Sequence, residues 1–300
     1  MKSKLIKFNK LILSVSLFLL AGCVQSLNQQ SLNQPSDKPS IEPLAAELIT
    51  HGNIIDLHTG KAITPAQLVQ RLSDSSLVIV GEKHDNRYHH QIERWLIQQV
   101  AQQRPQGAVL LEMLVPAQQP KVDQVKQWLR SKPYVRDETL QHALAWQQGW
   151  PWEHYGEFTK TLLYASYPLL AANLDRQEIT QLYDNPIQLA GTYSTQPTVR
   201  EMINQMIDSS HGGQLTAEQI NKMTTIQQMR DRRMAQQLLA APRPAWLFAG
   251  GYHATRVVGV PLHVQDLASS AEMSVLILSE QGSEINNMHA DYVWYTPSSS

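Results

Sequence analysis

Leu77-Val78-Ile79-Val80-Gly81-Glu82-Lys83-His84-Asp85-Asn86 decides the fold: an unbroken apolar run that stops at a glycine and passes at once into acidic, basic and imidazole side chains. A strand without polar alternation is one buried on both faces, as in a parallel sheet covered by helices. Three further runs share this grammar: Ala108 to Leu111 before Glu112, Leu169 to Ala172 before Asn173, Asp175 and Arg176, and Trp246 to Gly250 before His253. If the four are neighbouring strands, their carboxyl ends lie along one edge, where open α/β sheets hold ligands. Residues far apart in sequence then share one site.

Working outward, Asn53 to Leu57 and Lys61 to Thr64 flank His58-Thr59-Gly60 and read as a short hairpin. Thr64 caps a helix with Pro65 at its first position, and Asn86 caps another in which Ile92, Trp95, Leu96 and Val100 repeat at helical spacing. Strands are expected at Val109–Met113, Tyr167–Leu174, Ala245–Gly250 and Met273–Leu278, alternating with helices. The fold class is therefore α/β, a mainly parallel sheet covered by helices. Polar, Gln- and Met-rich helical text at about 116–150 and 182–224 predicts a helical cap subdomain over the sheet edge. Thr216 and Gln219 form a capping-box pair opening a long helix through Met223, Gln227, Arg230, Met234 and Leu238. Arg230 falls on its apolar face, so it needs a partner: a sheet carboxylate such as Glu112, or an anionic ligand gripped bidentately.

Residues 1–22 combine Lys2, Lys4, Lys7 and Lys10, the apolar segment Leu11 to Leu20, and Leu20-Ala21-Gly22-Cys23. This is an export signal, and the combination resembles a bacterial lipoprotein box, by which resemblance Cys23 becomes the lipid-bearing amino terminus. Cys23 is the single cysteine, so no intramolecular disulfide forms. Val24 in place of an aspartate points to sorting to the outer membrane. Residues 23–47, above all Gln25 to about Pro43, read as a solvated tether reaching on the order of 25 Å, and 48–295 as the folded domain. A net charge of −1, with no basic block beyond the leader, argues against nucleic acid as partner.

The densest chemistry is at Glu82, His84, His89 and His90, with three histidines in seven positions. His89 lies in the first turn of a helix, whose positive end keeps an imidazole neutral and fit to ligate a metal or accept a proton. Gly250-Gly251-Tyr252-His253 permits close backbone approach to something bound and brings His253 to the edge shared with His84. No His-Glu-x-x-His frame of a helical zinc site is present. Trp146, Trp150, Trp152 and Tyr155 line an apolar cavity or cover a sheet edge. Tyr88, Tyr155, Tyr193 and Tyr252 are candidate phenolate ligands for ferric iron.

The blocks Gly81-Glu82-Lys83-His84-Asp85-Asn86 with His89-His90, Leu111-Glu112-Met113, Ala172-Asn173-Leu174, Gln228-Met229-Arg230-Asp231, and Gly251-Tyr252-His253 with Gly259-Val260-Pro261 resemble the ChaN-type haem-binding lipoproteins of the TraB, Tiki and erythromycin-esterase-like superfamily. The resemblance implies a haem pocket, a dimer with two haems face to face, and a role in iron or haem acquisition on the periplasmic side of the outer membrane, with an outer-membrane haem receptor as a further partner. Haem-binding candidates are then His84, His89, Tyr155, Arg176, Arg230, Tyr252 and His253, with Glu82, Glu112 and Asn173 as a polar edge. Glu82, His84 and His253 carry over from the shared superfamily motif, in which Tyr252 departs from the usual asparagine. The alternative is a hydrolase, metal-dependent or using His84 as general base oriented by Glu82.

Overall fold

The computed structural model describes residues 44, 45, 48, 52–132 and 134–298. Residues 40–300 form one compact unit. The expected signal peptide, Cys23 and the expected tether lie outside the described residues, apart from 44 and 45. Leu44 is buried in the core.

An eight-stranded sheet has the spatial order β2-β1-β8-β7-β3-β6-β4-β5. Its strands are β1 (Asn53–Asp56), β2 (Lys61–Ile63), β3 (Leu77–Glu82), β4 (Ala108–Leu111), β5 (Leu169–Ala171), β6 (Ala245–Gly250), β7 (Ser274–Glu280) and β8 (Tyr292–Thr296). The six strands from β8 to β5 pair in parallel, and the β1–β2 hairpin adds to β8 antiparallel. β8 was not anticipated, although Tyr292-Val293-Trp294-Tyr295-Thr296 is an aromatic and β-branched run bounded by Asp291 and Pro297; it pairs with β7 and β1.

Helices α1 (Pro65–Ser73) and α2 (Arg87–Gln103) start where the caps predict. Thr64 Oγ1 accepts from the Gln67 N–H, and Asn86 Oδ1 from the Tyr88 N–H at 2.9 Å. After β4 come α3 (Gln119–Leu129), α4 (Asp137–Leu144) and α5 (Trp152–Tyr164), and after β5 come α6 (Arg176–Asp184), α7 (Pro197–Ser210) and α8 (Ala217–Ala240). Two short helices, α9 (Gly251–Ala254) and α10 (Val260–Leu267), follow β6. The stretch 182–224 is less helical than expected. Residues 185–196 are a loop, tied down where Asp266 accepts from the backbone N–H groups of Thr192 and Tyr193 at 2.7 Å each.

Alternate residues of each central strand serve opposite layers, as a period of two requires. Val78, Val80, Val109, Leu111, Trp246 and Phe248 join the core containing α2 and α5. Leu77, Ile79, Leu110, Leu247 and Ala249 join the layer under α8 and α10. Because β3, β6 and β4 are buried at every position, their polar termini are the first places where this sheet can meet a ligand.

Candidate functional site

Register brings the chemistry together. Glu82 pairs with Gly250 across β3 and β6, and the Glu112 N–H donates to the Phe248 carbonyl at 3.1 Å, extending the β4–β6 ladder by one residue. Glu82, on the same face as Val78 and Val80, points into the layer of α2 and α5. His253, on α9, and Asp231, on α8, serve the other layer. Glu112 lies between the two groups.

In the first group the His84 Nδ1–H donates to Glu82 Oε1 at 2.6 Å, and the Tyr155 hydroxyl donates to the same oxygen at 2.9 Å. Burial raises the Glu82 pKa, the His84 hydrogen bond opposing it. Burial works against a charged His84, but the hydrogen bond and charge of Glu82 outweigh it and raise the imidazole above its ordinary value. Both directions hold a proton in that 2.6 Å contact. The His84 side chain is 44% exposed and packs edge-on against Trp150, ring centroids 4.9 Å apart. A Cβ on Gly250 would stand 2.8 Å from His84 Nε2, so the imidazole occupies space that only glycine leaves open.

In the second group His253 Nδ1 is 2.6 Å from Asp231 Oδ1, and Nε2 is 3.5 Å from Glu112 Oε1. Burial opposes the charge on His253, but Glu112 and Asp231 outweigh it and push its pKa up to about 9. Glu112 is likewise buried, yet His253, His84 and the Gly250 N–H, which donates to it at 2.8 Å, hold its pKa below the usual carboxylate value. The pair is an imidazolium between carboxylates.

Several expected site residues take other roles. His89 is turned away: its Nδ1 accepts from the Lys83 N–H at 2.8 Å and its Nε2 faces the Thr296 hydroxyl at 3.0 Å. Burial lowers its pKa to about 3, so it is neutral as expected, but its lone pair is spent on the backbone. Tyr155 is fully buried, its pKa raised by burial and by Glu82, and serves as a neutral donor rather than a phenolate. His253, with both nitrogens against carboxylates, has no lone pair to offer a metal. Asn173 clamps the backbone, donating to the Glu112 carbonyl at 3.1 Å and accepting from the Leu174 N–H at 2.8 Å. Tyr252 is 67% exposed beside His253, and Arg176 is exposed at the start of α6. Arg230 is not the principal partner of Glu112, which is His253. It lends charge to Glu112, and its own buried Nε has no hydrogen-bond partner. The aromatic group divides: Trp150 and Tyr155 touch the site, while Trp146 packs on Trp152, whose Nε1–H donates to Asp137 at 3.0 Å.

Glu93 and Asp231 had not been singled out as site residues, and His90 only as one of the three clustered histidines. Glu93 had a signal, an acidic residue within the apolar stripe of Ile92, Leu96 and Ile97. Asp231 had one in the Gln228-Met229-Arg230-Asp231 block that carries the family resemblance.

A family model described as haem-binding uptake, Tiki superfamily, ChaN matches residues 68–264. The chain belongs to this family. A solved structure of ChaN of Campylobacter jejuni, described as binding haem cofacially, is 31% identical, covers 81% of this chain and 96% of its own, and superposes with a TM-score of 0.75. An erythromycin esterase variant in its open conformation is 11% identical over 73% of each chain with a TM-score of 0.39, and the type III effector HopBA1 is 13% identical over 77% of this chain and 92% of its own with a TM-score of 0.41. No curated protein matches the sequence. The ChaN family match spans β3, β4, β5 and β6, the strands whose carboxyl ends carry the converging residues.

Proposed function

We propose that this protein binds haem at the carboxyl edge of its sheet, as part of iron or haem acquisition at the periplasmic face of the outer membrane. The observation that carries this reading, beside the family, is the state of His84: Nδ1 is fixed by Glu82 while the ring is half exposed, so that Nε2 would be the atom to meet the iron of a bound haem. A ligating imidazole whose other nitrogen donates to a carboxylate is the usual supported arrangement. The donor set fits a porphyrin: Trp150 flanks His84, Tyr252 presents an exposed phenol on the following turn, and Arg230 and Arg176 offer guanidinium groups to propionates. Haem, if bound, would supply an iron centre that such side chains could ligate. The buried imidazolium of His253 offsets one of the two carboxylate charges of Glu112 and Asp231 at the floor of the site.

The leader, Cys23 and the polar tether support a lipid anchor that holds the folded body near a bilayer. A homodimer and an outer-membrane haem receptor are proposed as partners. Haemin titrated into the full chain should raise a shifted Soret band, with binding weakened at least tenfold in His84→Ala. An unchanged spectrum with the wild type removes the haem reading.

The two imidazole–carboxylate pairs at 2.6 Å also support a second reading, a hydrolase with His84 as the oriented base. An ester and peptide screen separates the two. Equal rates for wild type and His84→Ala reject the hydrolase.

A further inference from the structure

Glu82 belongs to a second group of donors that the haem reading does not use. His90 and Glu93 stand one turn apart on α2, and with Glu82 all three side chains are buried. One donor atom from each lies within 4.8 Å of the others. His90 Nε2 is 3.1 Å from the His84 carbonyl oxygen. A carbonyl only accepts, so Nε2 carries the hydrogen, and a neutral imidazole then keeps its lone pair on Nδ1. That lone pair faces Glu93 Oε2 at 3.1 Å. Two acceptors in that position repel unless something positive lies between them.

Glu82 Oε2 and Glu93 Oε1 are also buried without a hydrogen-bond partner. Native structures rarely leave such atoms unmatched, and each one asks for an unseen occupant. A proton on Glu93 or on His90 Nδ1 settles that contact but leaves both orphaned oxygens unmatched. A cation addresses all of them. An imidazole whose other N–H donates to a backbone carbonyl is the outer-shell pattern of a metal ligand, and Tyr155 and His84 hold the remaining oxygen of Glu82.

We propose that Glu82, His90 and Glu93 form a site for a first-row divalent transition cation, held by one imidazole nitrogen and two carboxylate oxygens, with water completing the shell. Such ions accept this mixed set of nitrogen and hard oxygen donors. Donors on a tetrahedral ion with bonds of about 2.1 Å stand roughly 3.4 Å apart, so loading draws the three side chains slightly together. Entry is from the cleft of about 410 Å³ between α2 and α5, which His90 lines. The site is distinct from the edge where His253 is paired, and shares only Glu82 with the haem reading.

The test uses the haem-free full chain, stripped with chelator and dialysed against Zn²⁺ or Co²⁺. The expected result is one ion per chain at low micromolar free metal, weakened at least tenfold in Glu93→Gln and in His90→Ala and retained in His253→Ala. Glu93→Gln preserves shape and its amide donates to Nδ1, so its metal-free melting should match the wild type. Should it fail to fold, X-ray absorption on the wild-type Co²⁺ complex decides, with a single imidazole in a nitrogen and oxygen shell expected. Substoichiometric metal, undiminished binding in Glu93→Gln, loss in His253→Ala alone, or two imidazoles in the shell each overturn the proposal. Because no porphyrin is present, failure here leaves the haemin titration standing, and the reverse.

Discussion

At the scale of the residue, the site depends on which nitrogen or oxygen each side chain has left after its local bonds are made. His84 and His89 are five positions apart in one polar segment, yet His89 spends its lone pair on the Lys83 N–H while His84 keeps Nε2. The bonds that separate them, to Lys83 and to Glu82, lie within the segment itself, and α5 and β8 reinforce them through Tyr155 and Thr296. Gly250→Ala places a methyl group against the pinned His84 ring and is expected to cost about 1–3 kcal/mol and to weaken haem binding, read by melting and by haemin titration. His253 gives a pH signature. Its folded pKa is raised, so its contribution to stability is complete below the unfolded value of about 6.5 and is lost as pH rises through about 9. Urea midpoints from pH 6 to 10 should fall for the wild type and stay flatter over that window for His253→Gln.

Elements were the most legible level, since a cap or a buried strand is written within a few consecutive residues. Thr216 makes the capping box its sequence predicts, Thr64 caps its helix as expected and forms a box with Gln67 besides, and β3 and β6 are buried throughout. What escaped were β8, whose short aromatic run between Asp291 and Pro297 is legible but was passed over, and the loop at 185–196, which Asp266 holds. Asn86 shows one side chain joining local and distant structure. It caps α2 and also donates to Glu280 at 2.9 Å and to the Pro297 carbonyl at 3.2 Å. Asn86→Ala should therefore cost more than an ordinary cap, about 2 kcal/mol against about 1. Calorimetry should record this as a fall in Tm of roughly 4–8 °C.

For the whole molecule, the leader and tether carry the proposed location and the sheet edge carries the proposed chemistry. Cys23→Ser should move the protein from the membrane fraction to the soluble fraction of cells while leaving haemin binding unchanged, checked by fractionation and by the Soret band. Retention on membranes would remove the lipid anchor. The sequence by itself determined the α/β class, the run-then-polar strands and the edge on which their ends meet, because burial on both faces and helix capping act within short windows. Only the tertiary structure decided that His253 sits charged between Asp231 and Glu112, that Tyr155 donates to Glu82, and that His90 and Glu93 form a buried group with Glu82. Protonation and coordination depend on desolvation and on neighbours supplied by other segments, and these become definite when the layers have packed.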